Sequence, residues 1–151
     1  MERRALIVAD AAGPADVLNP VLTRFGFTAS EAVPTFPSAL ARIRNDHFDL
    51  VVVPLDRVNE AELSLLERDI PRDGSTSVLG TATRGDTDSI LKALRAGLHE
   101  FLDRPINADE LARALERLDR RWTQATRAGK VITVYSPKGG LGTTTVAINL
   151  A

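Results

Sequence analysis

Short apolar runs alternate with amphipathic segments along most of the chain, and no other feature constrains the fold as strongly. ALIVA (5–9), FTASEAV (27–33), LVVV (50–53), SVLGTA (77–82) and HEFLD (99–103) read as strands. The stretch from Asp16 to Phe25, SALARIRND (38–46), EAELSLLERDI (60–70), DTDSILKALRAG (86–97) and NADELARALERLDRRW (107–122) read as helices. LVVV and SVLGTA are apolar without strict alternation, as strands covered on both faces must be. The expected fold is therefore α/β: a doubly wound, five-stranded parallel sheet.

The last helix carries the clearest local signals. Asn107 can cap it, Glu110 follows three residues later as in a capping box, and Leu111, Leu115, Leu118 and Trp122 recur on one face. That stripe should be core or a partner surface. Gly97 follows a helical pattern and is explained by a left-handed helix terminus.

Composition excludes several function classes. The chain has 151 residues and 44% hydrophobic content, enough for one core. Its 19 basic and 20 acidic residues give a net charge of −1, so no global basic field favours nucleic acid or anionic lipid. With no cysteine there is no disulfide framework, thiolate metal site or cysteine nucleophile. The two histidines, His47 and His99, are too far apart for a local metal motif, and both read as structural. The apolar run at the N-terminus is too short for a signal peptide or a membrane span, which makes a soluble cytoplasmic protein the expectation.

Several strings resemble the receiver domain of response regulators, with its CheY-like, flavodoxin-like fold. ALIVAD is similar to the family's first strand and acidic pair, FDLVVVPLD to the third strand and its phosphorylated aspartate, and RAGLHEFLDRPI to the stretch that ends in a Lys–Pro peptide. The resemblance implies acidic residues holding Mg²⁺, a carboxylate nucleophile, a hydroxyl and a cation for the phosphoryl group. On this chain the acidic pair becomes Ala9 and Asp10, and the nucleophile position becomes Pro54. Proline has no nucleophilic side-chain atom, so no phosphoryl group can be accepted there. Ala82 stands at the hydroxyl position between Thr81 and Thr83, Phe101 at the switch aromatic, and Arg104 at the family lysine. Asp56, two residues beyond Pro54, is expected in a loop past the strand end, more than about 6 Å along the chain at ~3.3 Å per residue, and away from Asp10 and Arg104. Asp10 and Arg104 then read as a residual ion pair or as solvated charges. No catalytic residue and no metal site is expected.

After the helix the pattern breaks at TRAGK, and VITVYSPKGGLGTTTVAINLA places a glycine-rich loop between a strand-like run and a helix-like one. This resembles the deviant Walker A motif of the MinD/ParA family. Lys138 matches the signature lysine, Gly139, Gly140 and Gly142 the loop, and Thr144 the Mg²⁺-binding hydroxyl. Thr143 stands where the ordinary P-loop lysine should follow the last glycine, which removes the main phosphate-neutralising cation. The organisation expected is a pseudo-receiver domain over residues 1–126, a linker over 127–130 and the opening of an ATPase-like domain over 131–151.

A degenerate receiver followed by KGGLGTTT resembles the TadZ/CpaE family of pilus assembly proteins. That resemblance implies a non-enzymatic interaction and localisation domain of a Flp/Tad pilus assembly ATPase-like protein. Its expected partners are the pilus secretion machinery and a second copy of itself, with neither nucleic acid nor membrane insertion. Peripheral association at a cell pole or the inner face of the membrane, through partners, is compatible with this. No cofactor is expected in this chain; ATP and Mg²⁺ would belong to a full-length protein. The face formed by DTDSILKALRAG, the fifth strand and the helix from Asn107, including Arg113, Arg117, Arg120 and Arg121, is the expected contact surface or a solvated one. Two other readings stay open: a stand-alone atypical receiver responding through Asp10 and Asp56, and the regulatory domain of a ParA-type partitioning ATPase.

Overall fold

The computed structural model describes residues 2–9, 13–71, 73–83, 87–95 and 97–126. Strands and helices alternate: β1 (Arg3–Val8), α1 (Gly13–Arg24), β2 (Phe27–Val33), α2 (Phe36–Asn45), β3 (Leu50–Pro54), α3 (Glu60–Asp69), β4 (Ser77–Thr83), α4 (Thr87–Arg95), β5 (Glu100–Arg104) and α5 (Ala108–Thr126). A single 3₁₀ turn, Leu55–Arg57, joins β3 to α3. The five strands form one parallel sheet in the order β2-β1-β3-β4-β5. The expected doubly wound sheet is thus present. The proposed linker over 127–130 and ATPase opening over 131–151 lie outside the described residues.

Strand alternation sends side chains into two cores, one on each face of the sheet. Ala5, Ile7, Leu50, Val52, Leu79 and Leu102 meet Leu18 and Leu22 of α1 and the α5 stripe Leu111, Leu115, Leu118 and Trp122. That stripe is core, the first of its two sequence-based readings. Leu6, Val8, Val51, Val53, Val78 and Ala82 face the other way, toward Phe36 and Leu40 of α2 and Leu63 and Leu66 of α3. Every residue of β3 is buried, which is why LVVV carries no polar alternation.

Helix starts follow their caps. The Asn107 side chain accepts from Asp109 N–H at 2.8 Å, so α5 begins where expected. The reciprocal half of a capping box does not form there among the described residues; it forms at α3. The Asn59 side chain accepts from Glu62 N–H at 2.9 Å while the Glu62 carboxylate accepts from Asn59 N–H at 3.0 Å. Gly97, at φ +65°, makes the left-handed turn into β5. Among the described residues no helix is long and apolar enough to cross a membrane.

Candidate functional site

In an open parallel sheet the carboxyl ends of the strands converge on one edge, and a crevice opens where the strand order reverses. Here that point lies between β1 and β3, and a cavity of about 220 Å³ stands there, lined in part by Ala9, Phe36, Pro37, Pro54, Arg57 and Glu62. Pro54 closes β3 in register with Thr81 of β4. Ala82 is fully buried and paired with Asp103 of β5, and Thr83 is paired with Arg104. The edge thus brings together Pro54, Thr81, Ala82, Thr83 and Arg104. The Arg104–Pro105 peptide bond is cis.

Asp56 lies past the end of β3 as expected, but not away from Arg104. It lies in the 3₁₀ turn with its carboxylate in direct contact with the Arg104 guanidinium, and the two side chains are only 27% and 25% exposed. The turn bends the chain back across the sheet edge, so the counter-charge of Arg104 is Asp56. Asp10, the other expected partner, lies outside the described residues, as do Lys138, Gly139, Gly140, Gly142, Thr143 and Thr144.

The side chains of Ala9 and Pro54 offer no oxygen, and Asp56 is engaged by a cation. Mg²⁺ is held by carboxylates together with water, and of the carboxylates that the receiver resemblance places at this edge Asp56 alone is among the described residues. Among the described residues no group of three or more histidines and carboxylates is placed to hold a metal ion.

Beside this edge lies the α4–β5–α5 face. Ile90 and Leu91 of α4 are 36% and 44% exposed, and Phe101 of β5 is half-buried against the core. A shallow cavity of about 290 Å³ lies between Ile90 and Phe101, lined also by Asp103, Glu110, Arg113 and Arg117. Arg117 is not a loose charge, because its guanidinium grips both carboxylate oxygens of Glu100 at 2.5 and 2.7 Å. That fork holds the Arg117 pKa above its ordinary value. Sequence reading missed this pair because the partners are 17 residues apart and on different elements.

Both histidines have structural partners. His47 lies 3.7 Å from Asp49. The His99 ring accepts from Val78 N–H through Nδ1 at 2.9 Å, while His99 N–H donates to the Val78 carbonyl at 3.0 Å. Burial, and then the nearby Arg121 charge, push the His99 pKa down.

No family model matches the chain. It is 22% identical over 117 residues to the chemotaxis protein CheY of Bacillus subtilis (strain 168), covering 78% of this chain and 98% of that protein. It is 19% identical over 120 residues to the CheY of Thermotoga maritima, covering 80% and 100%. The signal receiver domain of a Luxo repressor protein from Vibrio parahaemolyticus superposes with a TM-score of 0.70 at 23% identity, over 86% of this chain and all of that one. The receiver domain of a CheY-like response regulator from Methanospirillum hungatei JF-1 gives 0.66 at 23% identity, over 85% and 100%. The described residues thus share the fold of CheY-like receiver domains and are similar to them in sequence.

Proposed function

We propose that this receiver domain acts by binding and not by phosphoryl transfer, as the interaction and localisation part of a Flp/Tad pilus assembly ATPase-like protein. The observation that carries the first half is Pro54 at the end of β3, where the receiver resemblance calls for a nucleophilic carboxylate. The pilus assignment rests on the sequence resemblance, a degenerate receiver followed by KGGLGTTT with Thr143 in place of lysine. Partner contact is assigned to the α4–β5–α5 face, where Ile90 and Leu91 are exposed beside Phe101. The partners are a second copy of the chain and proteins of the pilus secretion machinery, in the cytoplasm or at the inner face of the membrane.

One observation favours a second reading. The Asp56 carboxylate touches Arg104, which stands at the position of the family's phosphate-binding lysine, so Asp56 could serve as a displaced acceptor in a stand-alone receiver. The same experiment separates the two. The protein is incubated with Mg²⁺ and acetyl phosphate, or with Mg²⁺ and beryllofluoride, and followed by intact mass and amide chemical shifts. The binding-domain reading expects no phosphoryl adduct and no shifts beyond those of Mg²⁺ alone. An adduct on Asp56, or large shifts at Asp56, Ala82 and Arg104, would establish the second reading.

A further inference from the structure

The 55–57 turn joins the degenerate edge to the partner face. Its first residue, Leu55, is fully buried and wedged so tightly against β4 that a Cβ at Gly80 would lie 2.7 Å from Leu55 Cδ1 and 2.6 Å from Leu98 Cδ2. Its second residue, Asp56, holds Arg104, the last residue of β5. Val58, just beyond the turn, is buried again. The turn also packs against α4. One short segment, anchored by core residues on both sides of an ion pair, therefore touches each of the first two elements of the partner face.

We propose that the Asp56–Arg104 pair is a standing latch that holds α4 and β5 in one arrangement without covalent modification. The inference rests on the reading that this domain is not switched by phosphoryl transfer. The contact gives the Arg104 guanidinium a fixed counter-charge at the sheet edge, and removing Asp56 takes that counter-charge away. Replacing Asp56 with a neutral side chain leaves the Arg104 guanidinium without this counter-charge. Arg104 is the C-terminal residue of the edge strand β5, and Phe101 and Asp103 on the same strand line the face cavity. The release therefore reaches the surface that a partner meets. Asp56 and Arg104 act as positioning residues, because neither needs to touch the partner.

The test is amide hydrogen exchange on the full chain, comparing wild type with Asp56→Asn, Arg104→Lys and the charge-swapped pair Asp56→Arg with Arg104→Asp. Asp56→Asn is expected to raise exchange about tenfold across residues 87–95 and 100–104 and to leave β1, β2 and α2 protected. Arg104→Lys, which keeps the charge on a differently shaped head, should give a smaller rise in the same segments, and the swapped pair should recover part of the protection. Unchanged protection in α4 and β5, or an equal rise in all elements, would overturn the latch. The exchange is read on untreated protein, so its outcome is independent of the phosphorylation experiment. An adduct there refutes the functional reading, whereas a flat exchange pattern here refutes the latch alone.

Discussion

The two ends of the sheet are built from different chemistry. At the amino end Arg3 lies 4.7 Å over the Trp122 ring, pairs with Asp119 at 2.6 Å and donates to the Phe25 carbonyl at 3.1 Å, which fastens β1, α5 and the start of β2 together. Arg4 stacks on Phe48 while its N–H bonds Asp49, and Arg44 ties α2 to Asp69 at 2.7 Å. At the carboxyl end, where the receiver resemblance places all of the chemistry, proline and alanine stand for two carboxylates, and Asp56 pairs with Arg104. Among the described residues, the arginine clamps that join separate elements gather at the amino end.

The largest expected effect lies at the fastened end. Trp122 is 6% exposed and meets Phe27 edge-on at 5.8 Å as well as Arg3. Trp122→Ala should cost about 3–5 kcal/mol in denaturant unfolding. Exchange in α4 and β5 should change only in proportion to that global loss. A cost below about 1 kcal/mol would show that the amino end is not the anchor and would dissolve the contrast.

Gly80→Ala is the intermediate case and tests the carboxyl half. The added methyl must displace Leu55 and Leu98, both packed against the same core, at an expected cost of about 1–3 kcal/mol. Because Leu55 precedes Asp56, the variant should also raise exchange in α4 and β5 above what the global loss accounts for. Equal scaling in Trp122→Ala and Gly80→Ala would mean that the two ends respond as one unit.

How much of this was legible beforehand follows from how local each signal is. The helices and strands were readable because hydrophobic period and capping residues act within a few positions, and Asn107 and the α5 leucines fell where expected. The places of Pro54 and Arg104 were readable for the same reason, since strand ends follow from strand extent. Asp56 lies past the strand end as expected, but its nearness to Arg104 was missed because an extended rise of ~3.3 Å per residue was carried past Pro54, whereas a 3₁₀ turn rises only about 2.0 Å. Its contact with Arg104 spans 48 residues, and no period encodes that. The α3 capping box was legible as Asn59 followed three residues on by Glu62, and that spacing alone could have revealed it.

The smallest effect is a pH dependence, and it sharpens the contrast by assigning acid sensitivity to the fastened end. The His99 Nδ1 accepts from Val78 N–H at the start of β4, so the proton of the neutral ring resides on Nε2, and a second proton at Nδ1 must break that bond. Burial and the Arg121 charge lower the His99 pKa below 6.5, while Glu67 stands across the adjoining cavity. The unfolded chain therefore binds this proton more readily than the folded one. Its contribution is complete above pH 6.5 and is lost as pH falls from there toward the depressed folded value. Glu31, held below its ordinary pKa first by its hydrogen bond from Arg42, and Asp69, held down by Arg44 and Arg68 against its own desolvation, act in a separate and more acid window. Their contributions decline only as pH falls beneath their ordinary values of 4.5 and 3.8. Denaturant midpoints measured between pH 7.5 and 5 should thus fall in wild type and flatten in His99→Gln, whose amide oxygen can accept from Val78 without titrating. If the slope survives in His99→Gln, the acid-sensitive group near neutrality lies elsewhere, and the amino end owes its stability to packing and to the arginine clamps alone.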